Sequence, residues 1–351
     1  MKIIFDKATL WLDKKKPFVL YAKPYLNKLV GIFQNNDNLF QIEDFSETGF
    51  AFVSFDGENK YIIPENESEI LKENIGLLDC LEENNIDLSF SETTKKSFET
   101  QVEKGIKAIQ KNQFAKVVLS RKETIELDNF DFEMVFKKIL FYYTNTFRYC
   151  FYHPKIGFWV GATPEQFLQV SENKLKTVSI AGTQMFKESQ VYAWQIKEQE
   201  EQQIVTDFIL DNLQNETSNL SFSEPYNFRA GSIVHLKTDI EADLNEASNL
   251  QNIINKMHPT PAVCGLPKEP SQKFILENEN YNRTFYTGFL GELNFDLDKN
   301  NNSDLFVNLR CMNFDNNLVN IYVGCGITKD SIPENEFFET VNKSKTMKMV
   351  L

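Results

Sequence analysis

Hydrophobic and polar positions alternate along the chain with two different periods, and each period predicts a different kind of element. Residues 1–90 contain short apolar runs such as PFVLY (17–21) and FAFVSF (50–55), with polar, Asn-rich turns such as 34–38 beside them. Short apolar runs bounded by turn residues are typical of strands. We therefore expect a strand-rich region at 1–90.

A helical period begins after residue 90. Ser91 can cap a helix over 91–112, a strand is expected at 116–127, and helices are expected over 131–143 and 187–215. Apolar residues recur at helical spacing in the first and the last of these helices: Phe98, Val102, Ile106 and Ile109, and then Trp194, Ile204, Phe208 and Leu213.

The last part of the chain carries strand-like runs at 288–297, 305–314 and 318–327, followed by a helix that begins near Pro333, where proline suits a first turn. Antiparallel-looking strands interrupted by helices favour an α+β fold over a regular βαβ alternation. The chain has neither a GxGxxG after a strand nor a GxxxxGK[ST] motif, so nucleotide binding has no support.

The charge balance narrows the choice of partners. The formal net charge is −13. Nucleic acids and anionic membranes bind basic patches, so we expect neither as a partner. The N-terminus lacks a signal-peptide pattern, and there is no run of eighteen apolar residues, so we expect a cytoplasmic protein. The cysteines form no CxxC pair and are expected to be buried free thiols: Cys80, Cys150, Cys264, Cys311 and Cys325.

Two acidic runs could hold a metal ion. In the terminal helix, Glu336, Glu339 and Lys343 follow one another at spacings of three and four residues and would share one face. On the long helix, Glu198 and Glu201 would also face the same way. Mg²⁺ takes one or two carboxylates and keeps water and substrate oxygens as its other ligands. Taken alone, each run is more typical of a solvated helix surface.

Two ionisable residues stand in apolar surroundings. Lys116 opens the apolar run KVVLSR, and Glu165 follows Pro164 in GATPEQF. A partly buried lysine can act as a general base, and a carboxyl group beside apolar neighbours can stay protonated and act as a general acid. The alternative for each is an ordinary solvated side chain, which either fact alone favours.

Arg310 lies inside the apolar run LFVNLRCMNF, and Gly324-Cys325-Gly326 comes directly before the terminal helix. A buried arginine needs a partner, which can be a structural carboxylate or a substrate carboxylate. The glycines permit close backbone approach, and backbone N–H groups near a helix start favour an anion. A tight strand-to-helix turn explains the glycines equally well.

Taken together, these segments resemble the chorismate-binding enzyme family, which includes isochorismate synthases, salicylate synthases, anthranilate synthase large subunits and aminodeoxychorismate synthases. The similar stretches occur in the family's order over about the C-terminal two-thirds of the chain: KVVLSR (116–121), GATPE (161–165), SIAGT (179–183), KEQEEQQIV (197–205), HPTPAVCG (258–265), YNRTFYTGFLGE (281–292), LFVNLR (305–310) and VGCGITKDSIPENEFFETVNK (323–343).

The resemblance implies an α+β fold in which two large antiparallel β-sheets pack as a sandwich with helices on the outside. It implies one domain over 1–351, in which 1–90 is a poorly marked strand-rich part and 91–351 the catalytic part. It also implies a monomer that works without a glutamine amidotransferase subunit.

Roles for individual residues follow from the same resemblance. Lys116 would be the base and Glu165 the acid. The Mg²⁺ ligands would be Glu201 and Glu339, with Glu198 and Glu336 in or near the coordination sphere. The substrate-binding positions would be Gly182, Thr183, His258, Arg310, Gly324, Gly326 and Lys343. Mg²⁺ and the cationic side chains would overcome the repulsion between an acidic protein and a dianionic substrate.

Within the family, the position of Lys116 separates water-using from ammonia-using members, which usually carry glutamine there. Water is a poor nucleophile and needs a base. Ala181 stands where some aminating members carry a nucleophilic lysine. The sequence thus predicts a Mg²⁺-dependent isochorismate synthase that serves menaquinone or catechol siderophore biosynthesis. A salicylate synthase, an aminating enzyme and a non-catalytic relative remain as alternatives.

The chain departs from the family pattern at a few positions. Gln202 stands where many members have His, Asn282 replaces an Asp, and Met185 stands where Arg often occurs. None of these changes removes a proposed catalytic group, but Gln202 cannot titrate near neutral pH.

Overall fold

The backbone of the computed structural model alternates between strands and helices from end to end. The structure describes residues 1–76, 78, 88–127, 130–188, 192–230, 233–295 and 302–351. The predicted strand at 288–297 and Cys80 therefore fall partly or wholly outside the described residues.

The first part of the chain contains a helix and short strands: α1 (Lys2–Asp13), β1 (Phe18–Ala22), β2 (Lys28–Gln34), β3 (Phe40–Gln41), β4 (Gly49–Val53), β5 (Lys60–Pro64) and β6 (Ser68–Asn74). The middle part continues with α2 (Glu92–Gln110), β7 (Lys116–Glu126), α3 (Phe132–Tyr142), β8 (Phe147–His153), β9 (Gly157–Thr163), β10 (Gln166–Ser171), β11 (Lys174–Met185) and α4 (Ile196–Leu213).

The last part contains β12 (Thr217–Phe222), β13 (Tyr226–Ala230), β14 (Ile233–Leu244), α5 (Leu250–Met257), β15 (Gly265–Leu266), α6 (Lys268–Asn278), β16 (Phe289–Leu293), β17 (Ser303–Val307), β18 (Cys311–Asp315), β19 (Leu318–Ile327) and α7 (Pro333–Lys348). No helix of the described residues has the length and apolarity needed to cross a bilayer.

Two large antiparallel sheets organise these strands, as predicted. In the described residues, the first sheet has the order β15-β7-β19-β18-β9-β8-β1-β2-β6. The second has the order β12-β14-β11-β10-β17-β16-β4-β5-β3, with β13 paired to β14. The strands of 1–90 are shared between the two sheets.

Alternate residues of the strands build two different layers of the core. In β1, Val19 and Tyr21 pack with Phe50 and Phe52 of β4, which belongs to the other sheet. The intervening Phe18 packs instead in the layer formed with α1 and α3. Successive side chains of a strand point to opposite faces, so each sheet buries one face against the other sheet and one against helices. This is the predicted sandwich with helices outside.

Several predicted elements differ from the structure. The helix α1 was expected as strand. The helix expected from residue 187 begins at Ile196, and the indole of Trp194, two residues before it, donates to Asn227 Oδ1 at 2.7 Å. The strand expected at 305–314 is divided into β17 and β18, because Arg310 adopts a positive φ of 46°.

Candidate active site

A cavity with an empty volume of about 990 Å³ opens where both sheets meet helices α4 and α7. Strands β7 and β19 of the first sheet and strands β11 and β14 of the second contribute to its wall.

Most of the residues predicted for the site line this one cavity: Lys116, Glu165, Gly182, Glu198, Glu201, Arg310, Gly324, Gly326, Glu339 and Lys343. Two do not join them: Glu336 is buried and His258 is half-buried, and neither is part of the cavity wall. The side chain of Thr183 lies outside the described residues, so its role stays a prediction. The position of His258 has a clear physical reason, since its ring packs against Phe167 and Phe289 while Nε2 lies 3.2 Å from Ser54 O.

Lys116 is buried at the start of β7, with only 2% of its surface exposed. Burial lowers the pKa of Lys116, and the nearby Lys343 lowers it further, while the Glu201 carboxylate acts in the opposite direction. The space for its side chain depends on Gly326 in the neighbouring strand. A Cβ atom at Gly326 would lie 3.0 Å from Lys116 Cε.

Glu165 follows β9 and is fixed at both ends of its backbone. Its carbonyl accepts from Val307 N at 3.0 Å, and its N–H lies 3.3 Å from Thr163 Oγ1. Burial raises the pKa of the Glu165 carboxyl to about 7, with Lys116 and Lys343 opposing the shift. The group can therefore hold a proton near neutral pH.

Arg310 occupies the break between β17 and β18. Its side chain is half-buried and donates to Thr346 Oγ1 of α7 at 3.1 Å. No carboxylate forms an ion pair with Arg310 in the described part of the chain, and desolvation lowers the pKa of its guanidinium. Of the two predicted kinds of partner, the structural carboxylate is therefore not found among the described residues.

Lys343 and Glu339 share one face of α7, as the spacing predicted. Lys343 Nζ lies 2.7 Å from Glu339 Oε1 and donates to Gly324 O at 3.0 Å. The location of the glycines was wrong in one respect, since Gly324 and Gly326 lie inside strand β19 and pair with β7. The close approach they permit is therefore between strands and side chains and not at a helix start.

The carboxylates of the cavity suit a hard cation. Glu198, Glu201 and Glu339 all line the cavity, and Glu198 Oε2 is buried without a hydrogen-bond partner among the described residues. A buried carboxylate oxygen in that state needs a compensating cation or donor. Across the described residues, no group of three or more Asp, Glu, His or Cys side chains is compact enough to cage a metal by itself. A cation there would need oxygens from water or substrate, as Mg²⁺ usually does.

Sequence reasoning missed several residues of the cavity wall, among them His235 and Tyr286. The signal for His235 was a single polar ring in the apolar run SIVHLK, which is common among core histidines. Behind the wall, Gln202 Nε2 donates to Thr206 Oγ1 at 2.9 Å and to Thr238 Oγ1 at 2.8 Å, so Gln202 ties α4 to the second sheet.

The structure thus brings a buried lysine, a glutamate that can hold a proton near neutral pH and two further cationic side chains, Arg310 and Lys343, to one cavity. The chain matches the family model "chorismate binding enzyme" over residues 60–351 and belongs to that family.

The similar proteins include isochorismate synthases. The chain is 30% identical over 201 residues to isochorismate synthase MenF of Escherichia coli, covering 55% of this chain and 45% of the relative. It is 27% identical over 263 residues to isochorismate synthase EntC of the same species, covering 72% and 66%. The matches thus span about half to two thirds of these curated relatives. The solved structure of Escherichia coli MenF superposes with a TM-score of 0.79 at 20% identity, over 95% of this chain and 88% of the other, and shows the shared fold.

Proposed function

We propose that this protein is a Mg²⁺-dependent isochorismate synthase, which converts chorismate into isochorismate. The observation that carries the proposal is the presence in one buried cavity of Lys116, with a lowered pKa, and Glu165, with a pKa of about 7. The names of the most similar relatives support the same reaction.

Each residue of the cavity has a defined task in this reaction. Arg310 and Lys343 bind the carboxylates of chorismate. Neutral Lys116 removes a proton from a water molecule as its oxygen bonds to C2 of the ring. Both conjugated double bonds of the ring shift by one position, the bond between C4 and its hydroxyl breaks, and Glu165 gives its proton to the departing oxygen. Positioning of the water and the ring accounts for much of such a rate enhancement.

Glu201 and Glu339 would hold Mg²⁺, with Glu198 beside them. When bound, the ion supplies positive charge that neutralises a substrate carboxylate and stabilises charge in the transition state. The buried, unpartnered Glu198 Oε2 supports a cation at this place. A protein of net charge −13 also needs local cations to bind a dianion.

The direct test is incubation of the purified protein with chorismate and Mg²⁺, followed by chromatographic identification of the product. Isochorismate is the expected product. Salicylate with pyruvate, or anthranilate when ammonia is added, would replace the proposal with the corresponding alternative, and unchanged chorismate would refute it.

A second test concerns the metal. Glu201→Ala should weaken Mg²⁺ binding measured by calorimetry without substrate, and should abolish turnover. Glu200→Ala, on the exposed face of the same helix, is the matched control and should change neither. Equal Mg²⁺ affinity in the two variants would remove Glu201 from the set of ligands.

We further propose that the protein is a cytoplasmic monomer that needs no amidotransferase subunit and serves menaquinone biosynthesis, with catechol siderophores as the alternative. Light scattering after gel filtration tests the monomer. A strain lacking the gene should recover growth with added menaquinone. Recovery with 2,3-dihydroxybenzoate alone would assign the protein to siderophore synthesis.

A further inference from the structure

A break in the pairing of β11 with β14 places a histidine beside Arg310. Ala181 pairs with Leu236 and Gln184 pairs with Val234, so two residues of β11 stand opposite His235 alone. This is a β-bulge, which re-aims backbone and side-chain groups next to sites. Gly182, inside the bulge, adopts a φ of 68°.

The bulge fixes the proton on the His235 ring. Gly182 O lies 2.8 Å from His235 Nδ1. A carbonyl oxygen can only accept, so Nδ1 carries the proton and Nε2 presents its lone pair. A doubly protonated ring is disfavoured, because burial and then Arg310 lower the pKa of His235 to about 3.

The lone pair of His235 faces the arginine of the cavity. Arg310 Nη2 lies 3.5 Å from His235 Nε2, at the outer limit of a hydrogen bond, and Nη1 donates to Thr346 Oγ1 at 3.1 Å. These contacts hold the guanidinium from two sides. They use two of its five N–H donors, and the others remain to bind an anion in two-point geometry.

We propose that His235 is a positioning residue: its Nε2 accepts from Arg310 and holds the guanidinium in the orientation that binds a substrate carboxylate. This inference rests on the proposed function for its substrate. It adds a chain of contacts that runs from the bulge at Gly182 through His235 to Arg310.

The test compares two substitutions of nearly equal size. His235→Gln keeps an acceptor that can reach Arg310, whereas His235→Leu removes it. His235→Leu should raise KM for chorismate about tenfold or more with little change in kcat, because a hydrogen bond to a charged group is lost from binding. His235→Gln should restore most of the affinity. His235→Asn, which retains only a donor towards Gly182, should resemble His235→Leu.

A double-substitution cycle shows whether His235 acts through Arg310. In an Arg310→Ala background, His235→Leu should cause no further rise in KM. Additive losses, or equal impairment of the Gln and Leu variants, would overturn the inference. Thermal unfolding of each variant identifies any loss that comes from folding alone.

Binding can be separated from turnover. Calorimetric titration of chorismate into variants that also carry Lys116→Ala measures affinity without reaction. If the wild type makes no isochorismate but His235→Leu still weakens chorismate binding, the proposed function fails while the positioning role stands. If the wild type makes isochorismate and the His235 variants bind chorismate equally, the positioning role fails alone.

Discussion

Burial drives the ionisable groups of Lys116 and Glu165 towards their neutral forms. The pKa of the lysine falls and that of the glutamate rises, with desolvation as the largest cause for both. A neutral lysine can accept a proton and a neutral carboxyl can donate one, so the same physical effect prepares a base and an acid. Desolvation is the main cause in both cases, and the neighbouring Lys343 lowers the pKa of Lys116 further.

Removal of the base should stop the reaction while leaving binding intact. Lys116→Ala should lower kcat by about 100-fold or more, since a positioned base typically contributes that much. Chorismate binding should remain, because other residues hold its carboxylates. Lys122→Ala, on the exposed part of the same strand, is the matched control and should keep full activity. Substantial isochorismate formation by Lys116→Ala would exclude the lysine as base.

The protonation state of Glu165 should determine how kcat depends on pH. Glu165 must be protonated to act, and its pKa is raised to about 7, so kcat should decline as the pH rises above this value. Glu165→Gln cannot donate an acidic proton and should lose activity throughout, together with this alkaline decline. Glu172→Gln, which alters an exposed carboxylate, should retain the wild-type profile. An identical decline in active Glu165→Gln enzyme would assign it to another group.

At the scale of elements, local sequence patterns correctly predicted two helix starts and the bounds of one strand. Ser91 accepts from Thr94 N at 3.2 Å and starts α2 at the predicted place, and Asp131 accepts from Met134 N at 3.1 Å at the start of α3. Strand β19 spans Leu318–Ile327, the range that its apolar run predicts. Caps and hydrophobic periods act within one element and can be recognised without the rest of the fold.

Two of the wrong predictions concern helix α1, which was expected as strand, and the break between β17 and β18, which was not expected. Helix α1 buries Ile4, Phe5 and Ala8 on one face, a helical spacing that was present in the sequence but not weighed against the strands that follow. The break at Arg310 has no local signal of that kind, because a positive φ in a non-glycine residue persists only when the surrounding structure holds it. Its position between two strands and α7 is a property of the assembled site.

Gly326, in the strand beside Lys116, should be needed to position the lysine side chain. Gly326→Ala would place a Cβ atom 3.0 Å from Lys116 Cε and 3.7 Å from Glu201 Oε1. The lysine side chain is flexible and can move, so stability should change little, while kcat should fall by about tenfold or more through misplacement of the base. Gly76→Ala, with open space around it, is the control. Unchanged kcat in Gly326→Ala would show that Lys116 needs no such space.

At the scale of the whole molecule, the cavity exists only because distant strands meet. Strand β7 pairs with β19, which brings Gly324 beside Ser120, while β11 and β14 approach from the second sheet. The family motifs predicted ten residues that line the cavity, whereas the meeting of these residues and of His235 in one cavity depends on long-range pairing. The spacing of residues along the sequence does not show which distant strands pair, and most of the pairings in this fold are between such strands.

The stability of the whole fold should depend on pH through a histidine that lies outside the cavity. His258 is half-buried, and desolvation lowers its pKa to about 4, whereas an unfolded chain would give it an ordinary value. Between about pH 6.5 and pH 4, His258 is protonated in the unfolded state but remains neutral in the folded state. The free energy of unfolding is therefore undiminished above this range and decreases as the pH falls through it. From about pH 7.5 to pH 5, the expected loss from this one group is roughly 2 kcal/mol.

Urea unfolding of the wild type and of His258→Gln at both pH values measures this contribution. The amide of glutamine can still donate to Ser54 O, so the variant should fold, but it has no titrating ring. Its loss of stability on acidification should therefore be smaller than that of the wild type by the stated amount. Equal losses in the two proteins would mean that His258 is protonated in the folded state, and would contradict its packing between Phe167 and Phe289.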